Sequence, residues 1–189
     1  MRIYGDSISG NCLKVRWACD HLGLAYDWIE TDVMQAATRT PEFLALNPAG
    51  QVPTVVLADG RPLAQSNAIL LHLAEGSDLI PADAYERARM LEWMFWEQYS
   101  HEPYVAVARF QVRYLGRAVA ELEPKVVERG NGALQRQKTP WAMAVSWSAA
   151  GSAWPTSRSW PTPASPETAA STWRAIQGCR PGSSGWRQR

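Results

Sequence analysis

The apolar residues in the first part of the chain follow helical spacing in some segments and strand-like alternation in others. A short strand over residues 2–5 leads into a helix over 10–23, which Gly23 ends, and a second strand spans 26–31. The apolar side chains of this helix recur at i, i+3, i+4, i+7 spacing, at Val15, Ala18, Cys19 and Leu22.

A second set of elements completes this region. Thr40 and Pro41 supply a hydroxyl cap and a first-turn proline for a helix that stops at Asn47. The later elements are a strand over 54–57, a hairpin turn at Asp59-Gly60 into a strand at 63–64, and a helix from Ser66 to Gly76. A strand–helix–strand unit followed by a hairpin predicts a small mixed sheet of four strands, covered by helices.

The middle of the chain, beyond a linker over 78–83, is helical in pattern. A helix over 85–98 is so broadly apolar that we expect it to be buried on several faces. Pro103 is expected to kink this helix or to start its continuation through Leu115. A weaker helix is predicted from Ala118 to Glu128.

Composition removes several classes of protein. The net charge is +1 and 46% of residues are hydrophobic, so no basic excess indicates nucleic acid. No apolar stretch reaches the ~18 residues needed to span a bilayer, and no signal-peptide segment follows Met1. Cys12, Cys19 and Cys179 show no disulfide pattern, which fits a reducing cytoplasm. The histidines lack metal-ligand spacing, so we expect no metal.

A turn with the sequence Ser9-Gly10-Asn11-Cys12 lies between the first strand and the first helix. The opening amides of a helix lack intrahelical partners and carry partial positive charge, so an anion is stabilised there. The hydroxyl of Ser9 can donate a hydrogen bond to a thiolate in this turn. The alternative is that Ser9 merely caps the helix.

Two further segments have features of a binding site. In Gly50-Gln51-Val52-Pro53, the proline enters a strand although it cannot donate to a sheet. The alternative there is an ordinary trans-proline at a strand start. In Gln65-Ser66-Asn67-Ala68-Ile69, a serine stands at another helix N-terminus, where simple capping is again the alternative.

Together, at these separations, the three segments resemble the glutathione transferase family, over residues 1 to about 130. The resemblance implies a thioredoxin-like α/β domain (1–78) that binds glutathione and an incomplete all-α C-terminal domain (84–137). The residues implied in glutathione binding are Ser9 and Asn11 at the sulfur, Gln51, Val52 and a cis Pro53 at the cysteinyl backbone, Gln65 at the α-amino end, and Ser66 at the γ-glutamyl carboxylate. It further implies a second-substrate pocket, with Trp96, Tyr99 and Tyr104 as candidates, and a homodimer.

The predicted activity is transfer of the glutathione thiolate to a small electrophile, a detoxification reaction in which the protein positions and stabilises the thiolate. Ser9 stands where thioredoxin-like proteins carry the attacking cysteine, and Ser-x-x-Cys cannot cycle a disulfide. Cys12 is therefore expected to be a small helix residue near the site, and Cys19 a core residue. Two alternatives stay open: a glutathione-dependent disulfide reductase and a non-catalytic glutathione-binding or interaction module.

The last part of the chain, residues 138–189, breaks the composition of the rest. From Thr139 onward it lacks Leu, Phe, Tyr, Asp, Asn, His and Lys, and it is rich in Trp, Ser and Pro. Synonymous codons for residues 151–166, read from the third base, can encode L-S-V-A-D-I-A-L-L-A-Y-T-R-L-A. That string has a capping-box-like start and resembles the core helix of the family's C-terminal domain. We therefore predict a frameshift between about Gly132 and Pro140, natural or from sequencing, which sequencing the gene decides.

Overall fold

The computed structural model describes residues 1–137. The chain divides into two compact units, one from Met1 to Ala82 and one that begins at Asp83. The tail over 138–189 and its proposed frameshift lie outside the described residues. No helix in the described part of the chain has the length and apolar character to cross a membrane.

The first unit is an α/β layer structure around one mixed sheet. Its strands are β1 (Arg2–Gly5), β2 (Asp27–Glu30), β3 (Thr54–Val56) and β4 (Pro62–Ala64), and its helices are α1 (Gly10–Leu22), α2 (Pro41–Leu46) and α3 (Ser66–Leu73), with a 3₁₀ turn at Ala37–Arg39. The strand order is β2-β1-β3-β4. β1 pairs in parallel with β2 and antiparallel with β3, which pairs antiparallel with β4. The predicted thioredoxin-like arrangement of four strands is confirmed.

Local signals account for most of these boundaries. Thr40 caps α2 by accepting a hydrogen bond from the amide of Phe43, and Pro41 occupies the first turn. Gly23 ends α1 in the left-handed region, with φ of 65°, where glycine carries no steric cost. The buried centre of the unit joins both strands and helices, through Ile3, Val15, Cys19, Val55 and Ile69.

Cys19 belongs to this core, as predicted, and burial raises the pKa of its thiol from 9.0 to about 11. Above pH 9 the unfolded chain ionises this thiol while the folded chain keeps it protonated. The unfolded state therefore binds fewer protons, and stability falls as pH rises from 9 towards 11. Urea unfolding across this range should show a steeper fall in the wild type than in Cys19→Ala. Parallel curves would contradict the prediction.

The second unit is entirely helical in its described part. It comprises α4 (Ala84–Trp96), a π-helix (Glu97–Ala106), α5 (Val107–Arg113), a 3₁₀ turn (Val119–Glu121) and α6 (Pro124–Gln137). Asp83 caps α4 by accepting a hydrogen bond from the amide of Glu86. This helical unit agrees with the predicted all-α character.

Two helix predictions in this unit are wrong in detail. Pro103 does not restart the helix, but lies inside the π-helix that joins α4 to α5. The wider π turn suits a residue that lacks an amide donor. The weaker helix predicted from Ala118 to Glu128 does not form as such. Leu122 is extended, and the helix begins instead at Pro124, a favoured first-turn residue, and continues to Gln137.

The aromatic helix also differs from its prediction. Met90 is the buried residue of α4, whereas Phe95 is 71% exposed and, in the π-helix that follows, Tyr99 is 84% exposed. The expectation of burial on several faces is therefore wrong for these residues. The broad apolar pattern was spread around the helix, so one packed face is enough to leave other aromatic side chains in solvent.

Candidate functional site

The turn between β1 and α1 places Ser9 at the N-cap position of α1. The side chain of Ser9 makes no cap hydrogen bond to the helix amides, so capping does not explain this residue. Its hydroxyl instead hydrogen-bonds to the thiol of Cys12. A serine at the opening of a helix, donating towards sulfur, has the chemistry needed to stabilise a thiolate.

Cys12 itself is fully buried in α1. Burial raises the pKa of its thiol, and the hydrogen bond from Ser9 opposes that rise without cancelling it. A buried, protonated thiol is a poor nucleophile. These properties agree with a packed helix residue beside the turn.

Two acidic residues outside the three predicted segments, Asp6 and Glu30, hold the β1–α1 turn. Asp6 is 4% exposed and accepts hydrogen bonds from the amides of Ile8, at 2.8 Å, and Ser9, at 3.0 Å, through its side chain and its carbonyl respectively. Glu30, at the end of β2, accepts from the amide of Ser7 at 2.8 Å and also from its hydroxyl. An Asp in a turn often accepts a hydrogen bond from the amide two residues further on, so Asp6 could be selected from the sequence. Glu30 could not, because it lies on a strand distant in sequence.

The second predicted segment precedes β3. The Val52–Pro53 peptide bond is cis, as the resemblance implies, and Pro53 is buried. A buried side-chain network supports this segment. Asn47 donates to the carbonyl of Gln51 at 2.9 Å and to the hydroxyl of Thr54 at 3.1 Å, and accepts from the amide of Ala49 at 3.1 Å. In the sequence Asn47 marks only a helix end, and nothing there indicates this role.

The third predicted segment begins α3, and it meets the first one. Ser66 is the first residue of α3 and is 6% exposed. Its hydroxyl donates to the side-chain oxygen of Asn11 at 3.2 Å, and Lys14 donates to Asn67 at 2.9 Å. The N-terminal turns of α1 and α3 are therefore adjacent, although Asn11 and Ser66 are 55 residues apart in sequence.

Gln65 precedes α3 with a backbone that non-glycine residues rarely adopt, at φ of 69° and ψ of 111°. Its side chain makes no cap hydrogen bond to the helix and is exposed. A strained residue whose side chain does not cap the helix is typical of a ligand-binding position, and such strain costs about 1–3 kcal/mol.

This geometry predicts opposite effects on stability and binding for Gln65→Gly. Relief of the backbone strain should raise the free energy of unfolding by about 1 kcal/mol. Loss of the amide side chain should weaken glutathione binding about tenfold, the value of one hydrogen bond to a charged group. Chemical unfolding and calorimetric titration with glutathione measure the two effects.

The matched control is Ala36→Gly, because Ala36 also has a positive φ, of 56°, and lies outside the three segments. It should leave glutathione affinity unchanged. Wild-type affinity in Gln65→Gly would exclude a binding role for this side chain.

The candidates for a second-substrate pocket lie in the helical unit. Trp96 packs edge-to-face on Trp93 at 4.9 Å between ring centroids, with the guanidinium of Arg136 at 5.6 Å from its own ring. The hydroxyl of Tyr104 accepts a hydrogen bond from Arg129 at 3.0 Å. Tyr99 is exposed. α6 thus engages two of the three candidates through its arginines, and their role in a pocket stays a prediction.

A metal centre has no support in the part of the chain that the structure describes. Within residues 1–137, no group of three or more His, Cys, Asp or Glu side chains is placed to hold a metal ion.

A parallel β1–β2 pair, an antiparallel β3–β4 hairpin and the adjacent N-termini of α1 and α3 define a thioredoxin-like fold. Residues 8–75 match the family model described as glutathione S-transferase, N-terminal domain. A crystal structure of glutathione S-transferase from Pseudomonas fluorescens Pf-5 is 45% identical, with a TM-score of 0.69, over 72% of this chain and 69% of that one. The chain belongs to the glutathione transferase family.

Two other relatives bear on function. The disulfide-bond oxidoreductase YfcG of Escherichia coli is 30% identical over 159 residues, which cover 75% of this chain and 72% of YfcG. The maleylacetoacetate isomerase of Methylobacterium extorquens AM1, solved with bound malonate and GSH (glutathione), is 29% identical with a TM-score of 0.56, over 73% of this chain and 65% of that one.

The matches are partial for several curated relatives. The chain spans 52% of the length of one glutathione S-transferase and 39% of another matched protein. These partial matches do not by themselves assign the activity of a complete transferase to this chain.

Proposed function

We propose that this protein binds glutathione in its first unit and transfers the glutathione thiolate to a small electrophile. The observation that carries the proposal is the hydrogen bond between Ser66 and Asn11, because it brings two helix N-termini together. Each N-terminus favours an anion, so one can hold the γ-glutamyl carboxylate while the other holds the sulfur. The glutathione bound to the related isomerase supports the ligand.

The chemistry asked of the protein is modest. A free thiol has a pKa near ~8.5, and lowering it by about 2 units takes about 2.7 kcal/mol of preferential thiolate stabilisation. The hydroxyl of Ser9 and the first amides of α1 can supply this through charge-assisted hydrogen bonds. The backbone of Val52 then aligns the cysteinyl part of glutathione as an added strand, which fixes the direction of attack.

The second candidate is a glutathione-dependent disulfide reductase, which the similarity to YfcG favours. The same site serves both reactions, because a bound glutathione thiolate can attack either a carbon electrophile or a disulfide sulfur. The electrophile pocket at Trp96, Tyr99 and Tyr104, a cytoplasmic location and a homodimeric assembly are parts of the proposal that rest on the family. Light scattering of the purified chain tests the assembly.

The deciding experiment uses the purified full chain. Glutathione binding is measured by calorimetry, and turnover is compared with an activated aryl halide and with a small organic disulfide. Faster conjugation supports the transferase, and faster disulfide reduction supports the second candidate. Binding without either turnover indicates a binding module, and absence of glutathione binding contradicts the whole proposal.

A further inference from the structure

Glu30 is an exposed carboxylate at the end of β2 that collects three hydrogen bonds. The amide and the hydroxyl of Ser7 both donate to it, one to each carboxylate oxygen. The indole N–H of Trp28 donates at 2.8 Å to the oxygen that the Ser7 hydroxyl also uses. Glu30 therefore ties the β1–α1 turn to β2, across 23 positions of sequence.

The turn held in this way is the one that carries Ser9. Asp6 accepts from the amides of Ile8 and Ser9, so together with Glu30 it provides an acceptor for each amide from Ser7 to Ser9. The hydrogen bonds that the Ile8 and Ser9 amides donate to Asp6 are local, within three residues, and set the shape of the turn. The bonds to Glu30 set its position against the sheet.

The position requires a carboxylate and not merely a polar side chain. A carboxylate has two oxygens and accepts several hydrogen bonds, whereas an amide has a single acceptor oxygen and two donors. Although burial raises the pKa of Glu30, the hydrogen bonds from Ser7 and Trp28 and the charge of Arg16 hold it below its usual range. Glu30 is therefore ionised at neutral pH.

Its negative charge works against a thiolate. After burial, the charges of Asp6 and Glu30 are among the causes that raise the pKa of the neighbouring Cys12 thiol. An acid next to a thiolate-binding turn is electrostatically unfavourable. Its contribution must then come from geometry, through the hydrogen bonds that hold Ser7.

We propose that Glu30 is a positioning residue, which clamps Ser7 and so fixes the turn that directs the Ser9 hydroxyl at the glutathione sulfur. This inference rests on the proposed function and assigns it a residue outside the three segments. Loss of the clamp lets the hydroxyl move relative to the sulfur, and displacement of a catalytic group by about 1 Å costs up to a hundredfold in rate.

The test compares Glu30→Gln, Ser7→Ala and the control Asp59→Asn. Glu30→Gln keeps the size of the side chain but removes the charge and acceptor capacity. Ser7→Ala keeps the charge of Glu30 and the hydrogen bond from the backbone amide of residue 7, and removes only the hydroxyl. Asp59 accepts from the amide and guanidinium of Arg61 in the β3–β4 hairpin, so Asp59→Asn removes a hydrogen-bonded carboxylate elsewhere in the same unit.

We expect Glu30→Gln to lower kcat about tenfold and Ser7→Ala about threefold, with the KM for glutathione within about twofold. The pH at which bound glutathione is half ionised, followed by ultraviolet difference absorbance, should rise by about one unit in Glu30→Gln. Asp59→Asn should match the wild type in all three measurements.

Three results would overturn the inference. Unchanged kcat in both site variants excludes a positioning role, and a faster Glu30→Gln shows that its charge outweighs its geometry. A parallel loss of glutathione binding and thermal stability in both variants shows that the clamp only supports the fold. Because the half-ionisation pH needs no turnover, a wild type that binds glutathione without turnover contradicts the proposed function while the clamp is still tested.

Discussion

Replacing Ser9 with alanine should lower kcat for conjugation about a hundredfold, while the dissociation constant for glutathione changes less than about threefold. Removal of one preorganised donor to a developing anion costs 10²–10³ in rate in other enzymes. The side chain of Ser9 makes no cap hydrogen bond to the amides of α1, and its hydroxyl already donates towards a sulfur atom, that of Cys12. The other contacts proposed for glutathione, at Val52 and Ser66, are not altered by this substitution. Steady-state kinetics and calorimetric titration give the two values.

Ser77→Ala is the matched control. The hydroxyl of Ser77 donates to the carbonyl of Ala74 after α3, outside the three segments, so conjugation should be unchanged. Wild-type turnover in Ser9→Ala would move thiolate stabilisation to Asn11 or Cys12. Asn11→Ala and Cys12→Ala then separate those two residues. A Ser9→Ala variant that loses glutathione binding as well would show that Ser9 contributes to binding of glutathione and not to stabilisation of its thiolate.

Replacing Asn47 with alanine should lower the free energy of unfolding by about 3 kcal/mol. Asn47 is 6% exposed, and its amide makes three hydrogen bonds that bridge the end of α2 to β3. Truncation removes one of the two donors to the carbonyl of Gln51, which keeps the hydroxyl of Thr54, and removes the acceptor of the Ala49 amide. Urea unfolding measures the loss, and glutathione titration measures its effect on the segment that carries Val52.

Thr54→Val is the comparison, because valine keeps the shape of threonine at a fully buried position. It removes only the hydroxyl that donates to the carbonyl of Gln51 and accepts from Asn47, so the cost should be about 1–2 kcal/mol. Equal losses in the two variants would contradict the view that Asn47 organises the segment.

Sequence reasoning reached the first unit because its signals are local. Thr40 and Pro41 indicate the start of α2, and Gly23 indicates the end of α1. The helical spacing of Val15 and Cys19 indicates the buried face of α1. The second unit was harder, since proline has two opposite meanings there. Pro124 begins a helix at a favoured position, while Pro103 lies inside a π-helix that no periodicity of the sequence predicts.

The candidate site shows the same division. The loops that carry Ser9, Val52 and Ser66 could be selected from hydroxyl and proline chemistry at element starts. Glu30 and Asn47 could not, because their importance comes from partners that the fold brings close. In sequence Glu30 is an ordinary acidic residue at the end of a strand. Its proposed role depends on its hydrogen bonds from Ser7, which is 23 residues away.

The hydrogen bond between Asn11 and Ser66 has a consequence for the time at which this protein becomes a receptor. Its two ends are 55 residues apart, so a growing chain cannot present both of the proposed anion sites until α3 has been synthesised and has closed onto α1. A peptide that occupies both sites then adds its binding energy to the closed state alone, by mass action. Under the proposed function, cellular glutathione would act on this unit as a folding ligand before it acts as a substrate.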